Sequence, residues 1–592
     1  MTSSYARNIM ELIYERWISD PTKVVARYMD ESDAWVDVTA AQFRERVEGV
    51  AKGLIARGVE PGQAVGIMCR TRYEWSVLDL AIWSAGALPV PIYDTSSSSQ
   101  IDWITSDAGI GTIFVETEAH AALAREVASD AESPLTAIEV IDNGALDALV
   151  ADGARIPDDT LRQRREAPGH EDIATIIYTS GTTGRPKGVR LTQVAYTRHI
   201  AGIQDSLHEI IFEPGASTVL FLTLAHSLAR LVEVLLLASG TTVGYCPDTA
   251  SLVPALGSFR PTLLLAVPRV FEKVFNSAEQ KAAAGGKVHI FRWAAKQAID
   301  YSKALDTPGG VPVALRLRHR AAHALVLSKI VKVLGGRARW AISGSAPLGE
   351  RLGHFYRGLG ISVLEGYGLT ETNAASHVNR PELAKIGTVG KPLPGIEVSI
   401  APDGEVLMRG DQLFSGYHHN AEATQAAMTD GWFMTGDIGS QDEDGYLTIT
   451  GRKKEIIVTA GGKNVAPAVL EDRLRGHPLV SQCVVVGDGK PYIAALITLD
   501  VEALPGWLRS KGLDLLTVEQ AAEHPVVLEH LDRAVERANR IVSRAESIRK
   551  YRIVHDDFTV DNGFLTPSLK VKRDRVLQAY TSEVEQLYAT GS

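Results

Sequence analysis

Cysteine is almost missing from this chain. Cys69, Cys246 and Cys483 stand far apart among 592 residues. So sparse and odd a set excludes a disulfide framework, offers no metal-ligand spacing, and predicts a reducing, cytoplasmic setting. A basic excess is missing too: the net charge of −10 speaks against a nucleic-acid partner. No apolar run reaches the roughly 18–20 uncharged residues of a membrane span. The nearest candidates are interrupted by Asp79 and by Glu233. Met1 to Trp17 carries Arg7, Glu11, Glu15 and Arg16 and so lacks the apolar centre of a signal peptide.

What is present is enough apolar material for large cores, 45% of residues, in a chain long enough for several domains or subdomains. Strand-like runs at Ala64 to Met68, Leu88 to Ile92, Thr112 to Glu116 and Ala137 to Ile141 alternate with helical patterns at Tyr73 to Ala87 and Ser96 to Asp107. This alternation predicts an α/β fold with largely parallel sheets. The pattern changes near Gly451. Beyond it, strands are expected at Glu455 to Thr459, Gln482 to Gly487 and Tyr492 to Asp500, with a proline-initiated helix at Pro467 to Leu474. The expectation is a large N-terminal domain, 1–451, with mixed and parallel sheets, and a small α+β domain, 452–592.

The most informative stretch is Tyr178-Thr-Ser-Gly-Thr-Thr-Gly-Arg-Pro-Lys-Gly-Val189, after the apolar strand Ile173 to Ile177. Glycines let backbone N–H groups approach an anion, hydroxyls donate to phosphate oxygens, and cations neutralise them. It is not a Walker A loop, because Lys187 is followed by Gly188 and no helix opens directly behind it. Alone, such a loop reads equally as a flexible connector.

Further stretches carry chemistry. Leu364-Glu-Gly-Tyr-Gly-Leu-Thr-Glu-Thr372 follows an apolar strand and sets Tyr367 between two glycines, a flat ring suited to stack a purine. Taken alone, Tyr367 reads as a core or loop aromatic. Glu371 offers a hard oxygen ligand for Mg²⁺. Ser343-Gly-Ser-Ala-Pro-Leu348 is a small-residue turn after a short strand, and alone is simply a loop. Gly431-Trp-Phe-Met-Thr-Gly-Asp-Ile-Gly439 places Asp437 on a tight turn, where it either caps the turn or accepts from ribose hydroxyls. A basic run, Leu565-Thr-Pro-Ser-Leu-Lys-Val-Lys-Arg573, lies near the end of the chain.

Together, and in this order, these motifs resemble the AMP-forming, adenylate-making enzymes, which include acyl-CoA synthetases, luciferases and peptide-synthetase adenylation domains. The resemblance implies ATP, Mg²⁺ and coenzyme A as cofactor and co-substrates. Thr179, Ser180, Gly181, Thr183, Gly184 and Lys187 would cradle phosphates, and Thr182 and Glu371 would hold the ion. Glu365 would touch the adenine amine, Gly366 and Tyr367 would form one adenine wall, and Gly344, Ser345 and Ala346 the other. Thr370 would bind the α-phosphate, and Asp437 and Arg452 the ribose. Gly451 to Lys454 would be the hinge, with Lys454 at the pivot of a mobile lid. Gly461 and Gly462 would line the pantetheine channel after the swing. Lys570 matches the catalytic lysine; Leu569 stands where many members have glycine, and Lys572 is the alternative.

Leu222-Thr-Leu-Ala-His-Ser-Leu-Ala-Arg230 resembles Leu-Pro-Leu-Ala-His-x-x-Glu-Arg, with Thr223 for proline and Ala229 for glutamate. His226 would sit by the substrate carboxylate, or else be a core residue. Val90-Pro-Ile-Tyr-Asp-Thr-Ser-Ser-Ser98 and Val267-Pro-Arg-Val-Phe-Glu-Lys273 resemble the bacterial long-chain fatty acyl-CoA synthetases. The expectation is a ligase that joins a fatty acid to coenzyme A through acyl-AMP. Alternatives are an acyl-AMP ligase serving a carrier protein and a luciferase-like oxygenase; no megasynthase module is expected.

Arg316, Arg318, Arg320, Lys329, Lys332, Arg337 and Arg339 fall in a helical stretch without an acid. They form either a solvated face or a contact with anionic lipid, which would make the protein peripheral at the inner membrane face. The oligomeric state, a homodimer included, is left open.

Overall fold

In the computed structural model, residues 6–179, 185–247, 251–566 and 570–589 are described. Ser180, Gly181, Thr182, Thr183, Gly184 and Leu569 therefore lie outside the described residues.

The first expected βα alternation folds into a four-stranded parallel sheet. Its order is Leu88–Ile92, Ala64–Met68, Thr112–Val115 and Ala137–Val140. Local chemistry starts its helices. Thr39 and Gln42 form a reciprocal cap at the head of Ala40–Ala56, and Ser97 and Gln100 do the same for Ser98–Ala108. The helix expected to reach Ala87 stops at Ser84, because Gly86 takes a left-handed φ of 76° that ends the turn.

A second sheet joins the antiparallel pair Val24–Met29 and Trp35–Thr39 to parallel Thr242–Tyr245 and Ser217–Leu220. A third sets Leu263–Leu265, Trp340–Ser343 and Ser362–Tyr367 in parallel, then turns antiparallel at His377–Val378 and Lys391–Pro392. The meander Glu397–Ile400, Glu405–Arg409, Trp432–Gln441 and Leu447–Arg452 is wholly antiparallel and was not in the sequence expectation.

The helix Tyr73–Ser84 is buried along nearly its whole length, and so is Ser227–Ser239. Where they meet, Asp79 and Arg230 form a two-pronged ion pair, at 2.9 and 2.6 Å. The two charges that interrupt these apolar runs thus satisfy each other or a neighbour. Glu233 accepts from Ser76 and from Tyr245, the latter at 3.0 Å.

The C-terminal domain has its own core. Val480–Val486 and Ile493–Leu499 pair antiparallel, Ile548–Val554 adds in parallel, and Pro467–Arg475 and Pro525–Asn539 cover them. One expectation fails here. The strand read at Glu455 to Thr459 is only Ile457–Val458, preceded by a 3₁₀ turn at Lys453–Glu455. Lys453 binds Asp403 and Glu405 at 2.6 and 2.7 Å, which pulls this stretch toward the large domain and out of strand register. Arg269 and Asp500, at 3.3 Å, and Lys273 and Glu502, at 3.2 Å, join the two domains elsewhere.

Candidate active site

The stems of the phosphate-loop stretch are fixed by strand pairing. Ile173–Thr179 and Lys187–Thr192 run antiparallel with Thr179 opposite Lys187. Gly188 is required in that return strand, since a Cβ there would press on Ile176 and Tyr178. Trp103 donates to the Pro186 carbonyl at 2.8 Å and lies under the Arg185 guanidinium at 4.7 Å. Lys187 is exposed, its ammonium 4.9 Å from the centre of the Tyr417 ring.

Tyr417 was missed in the sequence. Gly416–Tyr417 pairs with Val189 and Arg190 from more than two hundred residues away, and no local pattern marks it. Its hydroxyl donates to Glu371 Oε1 at 2.8 Å, so one aromatic joins the loop lysine to the expected metal ligand. Burial, and then the Glu371 charge, push the phenol well above its ordinary value and keep it a donor.

The expected adenine walls are neighbours because their strands are. Trp340–Ser343 and Ser362–Tyr367 lie in parallel register with Ser343 opposite Glu365. A Cβ on Gly344 would come 3.5 Å from the Gly366 carbonyl, so the two turns are in backbone contact. Ser345 takes a left-handed φ of 71°, and Ala346 is exposed beyond it. Leu348 donates its backbone N–H to Glu365 at 3.1 Å. Burial lifts the Glu365 carboxyl to about 7.

Tyr367 is anchored at its hydroxyl. Its hydroxyl donates to Asp437 Oδ2. Arg452 meets the other carboxylate oxygen at 2.8 Å, since Asp437 and Arg452 face each other across an antiparallel pair. Asp437 is buried, which raises its pKa, while Arg452 pulls it back. Thr370 lies 3.4 Å from the hydroxyl of Ser227, at the head of Ser227–Ser239. His226 caps that helix, its Nδ1 accepting from Leu228 at 3.2 Å. Burial, then the nearby Lys570 ammonium, drives the imidazole well below its ordinary range. His226 is therefore neutral and local to the site, held as a cap.

Lys570 arrives from the other domain. Leu565 and Val571 bridge antiparallel, and Thr566 and Lys570 exchange hydrogen bonds at 2.8 and 3.0 Å. Crowding by the surrounding protein, then Arg452, lower the Lys570 ammonium, while Asp437, Glu371 and Glu455 raise it. On balance the ammonium is held below its ordinary value. The Lys572 ammonium is lowered by burial and then by Arg575, with no carboxylate among its influences. Of the two candidate lysines, Lys570 is the one turned toward the carboxylates.

The structure does not bring Gly461 and Gly462 to this place. They form an exposed hairpin tip between Ile457–Val458 and Asn464–Val465, tied to its surroundings by Lys463 and Glu546 at 3.4 Å. Lys454 is exposed on the 3₁₀ turn. Among the described residues no cluster of histidine, cysteine and carboxylate ligands gathers. The Glu371 carboxylate keeps Oε2 without a hydrogen-bond partner among them. One carboxylate completed by phosphate oxygens suits Mg²⁺, which needs no all-protein cage.

Comparison with known proteins decides the family. Residues 15–418 match the AMP-binding enzyme family, and residues 454–592 match its C-terminal domain. The chain belongs to the AMP-binding enzyme family. It is 48% identical over 584 residues to the long-chain-fatty-acid–CoA ligase FadD15 of Mycobacterium tuberculosis, covering 98% of this chain and 97% of that protein. Long-chain-fatty-acid–CoA ligase 6 of Mus musculus is 30% identical over 92% of this chain and 82% of its own. Among solved structures, an anthranilate CoA ligase, AuaEII, with anthranoyl-AMP aligns at a TM-score of 0.74 and 19% identity, over 98% of each chain. A Mycobacterium tuberculosis fatty acyl CoA synthetase aligns at 0.63 and 22%, over 97% of this chain and 99% of that one. These two likenesses speak to the fold: a large N-terminal domain followed by a small C-terminal one.

Proposed function

We propose that this protein is a long-chain fatty acid–CoA ligase that works through acyl-AMP. The observation that carries the reading is the arrival of Lys570 within electrostatic reach of Glu371, Asp437 and Arg452. In the first half-reaction a carboxylate oxygen bonds to the α-phosphorus of ATP and the α–β bridging bond breaks, releasing pyrophosphate. In the second, the coenzyme A sulfur bonds to the acyl carbon, its proton is lost to solvent, and AMP leaves with the C–O bonding electrons. Both anionic reactants of the first step repel, and a preorganised ammonium offsets that repulsion. Lys570 supplies it, with Lys187 on the phosphates. Mg²⁺, when bound through Glu371 and Thr182, supplies charge neutralisation on the phosphate chain.

Glu365 and the turn Gly344 to Ala346 bound the adenine, with Gly366 and Tyr367 behind. Thr370 takes the α-phosphate. Asp437 takes the ribose hydroxyls, its two oxygens already oriented by Tyr367 and Arg452. His226 stays neutral by the acyl carboxylate and adds no second cation there. We assign 1–451 to ATP and acyl binding and 452–592 to a mobile lid turning at 451–454. Lys570 faces the site while the Gly461 to Asn464 tip stands outside it. Exchange of the two by rotation would open the thioester step.

No helix among the described residues is long and apolar enough to cross a membrane. We place the protein in the cytoplasm, with peripheral contact at the membrane that holds its acyl substrate. The test of the function is AMP release across fatty acids from short to very long, with and without coenzyme A. Thioester formation with long chains supports the ligase. Acyl-AMP that is passed only to a carrier protein, or oxygen uptake with light, refutes it.

A further inference from the structure

Both stems of the glycine- and hydroxyl-rich motif lean on one helix, Ser98–Ala108. Trp103 and Asp107 stand four residues apart on it, so their side chains share one face. Trp103 meets the return stem. Its indole N–H donates to the Pro186 carbonyl at 2.8 Å, and its ring carries the exposed Arg185 guanidinium at 4.7 Å. Asp107 meets the incoming stem, where its Oδ2 accepts from the Tyr178 hydroxyl at 2.6 Å. Burial, then Asp107, push the Tyr178 phenol well above its ordinary value, so it stays a donor. The other carboxylate oxygen of Asp107 lies 3.8 Å from Nδ1 of His419. The turn that carries His419 also holds the return stem, since the His418 N–H donates to the Gly188 carbonyl at 2.7 Å.

Strand pairing does not account for these contacts. The register of the two stems ends with Thr179 opposite Lys187. Pro186 lies outside the paired strand, and its carbonyl takes its donor from Trp103. Tyr178 is buried, and a phenylalanine would fill the same space; the hydroxyl is what requires a partner, and Asp107 is that partner. The two cations of the return stem each rest on a ring from a distant segment, Arg185 on Trp103 and Lys187 on Tyr417. Long charged side chains lose rotamer freedom when they bind an anion. Held on rings beforehand, they lose less.

We propose that Trp103 and Asp107 are positioning residues for the β- and γ-phosphates of ATP. Neither touches the nucleotide. Asp107 fixes the incoming stem through Tyr178, and Trp103 fixes the return stem through Pro186 and Arg185. The stems and their cations therefore stand at a preset separation when the polyphosphate enters. This deepens the ligase reading and rests on its assignment of the motif to ATP.

The affinities of the full chain for Mg·ATP and for AMP are measured separately by titration calorimetry, without fatty acid. AMP lacks the two phosphates in question and serves as the internal reference. Trp103→Leu, Asp107→Leu and Tyr178→Phe should each weaken Mg·ATP about tenfold, as expected for one lost hydrogen bond to a charged or otherwise unpaired group, and leave AMP unchanged. Asp107→Asn keeps an acceptor for Tyr178 and should restore most of the loss. Trp103→Phe keeps the ring under Arg185 and should fall between. Asp107→Leu combined with Tyr178→Phe should weaken binding little more than either alone, because both remove the same bond. Mg·ATP and AMP weakened alike would make these residues merely structural and overturn the proposal. Wild-type Mg·ATP affinity in the leucine variants would overturn it too, or in Trp103→Phe and Tyr178→Phe should the leucine variants fail to fold. Failure of the ligase reading has a different signature: the wild type would bind Mg·ATP and form no acyl-AMP from any fatty acid, with the contrast between Mg·ATP and AMP intact.

Discussion

Breaking the Arg230–Asp79 pair should test how the core holds the site. Arg230 is wholly buried and Asp79 nearly so, and two N–H groups meet two carboxylate oxygens. A third nitrogen donates to Thr175 at 2.5 Å, and the Trp83 ring lies 4.7 Å from the guanidinium. Burial lifts the Asp79 carboxyl, and Arg230 counters it. At an effective dielectric of about 20, two charges about 4 Å apart attract by about 4 kcal/mol. Desolvating each ion opposes this by several kcal/mol, so the intact pair contributes little net stability. Removing one member is different, because the other stays behind as a buried charge. Arg230→Met and Asp79→Leu should each destabilise the large domain by about 3–5 kcal/mol, and the double variant by far less than their sum. Urea unfolding followed by tryptophan fluorescence reads this directly, since Trp75 and Trp83 flank Arg230. Arg230 lies one turn from His226 and Ser227, so surviving single variants should also adenylate more slowly, with the double variant partly restored. A wild-type midpoint for Arg230→Met, or additive losses in the double variant, would refute the reasoning.

Lys570→Ala should slow acyl-AMP formation by about 10²–10³-fold yet still convert supplied acyl-AMP and coenzyme A to thioester. Equal losses in both half-reactions, or a silent Lys570→Ala beside an inactive Lys572→Ala, would contradict the assignment. Glu371→Gln should sharply raise the magnesium needed for adenylation. Tyr417→Phe, which deletes one hydrogen bond to that carboxylate, should raise it by about tenfold; titration of activity with Mg²⁺ checks both. Glu233 is pushed up from 4.5 to about 8 by burial, so the folded protein holds a proton there that the unfolded chain has released. Stability should therefore decline as pH rises between those values, and Glu233→Gln should flatten that decline in urea midpoints. An unchanged slope would remove Glu233 as its source.

The candidate site residues could be proposed from the sequence because they lie in short contiguous motifs. A glycine- and hydroxyl-rich loop after a strand, a tyrosine between glycines and an aspartate on a turn each read blandly alone, and their order along the chain is what pointed to a function. The parallel α/β sheet was legible for the same reason, as periodicity is local. Whatever joins distant segments was not. Tyr417 reaches Glu371 only because Gly416–Tyr417 pairs with the return strand of the phosphate loop. Tyr367 showed a flat ring in the sequence, but that its hydroxyl is tied to Asp437 is set by a neighbouring sheet. Asp79 and Glu233 read as mere interruptions of apolar runs, and only packing of the two helices turned the first into half of an ion pair and the second into a buried acceptor. The resemblance favoured Lys570 over Lys572, but neighbouring letters do not show what either lysine meets. Which lysine comes within reach of the carboxylates is set by how one domain lies on the other. The sequence by itself determined the parallel α/β class and which groups are candidates to bind and react; tertiary structure decided which of them meet, because those contacts depend on chain returning across hundreds of residues.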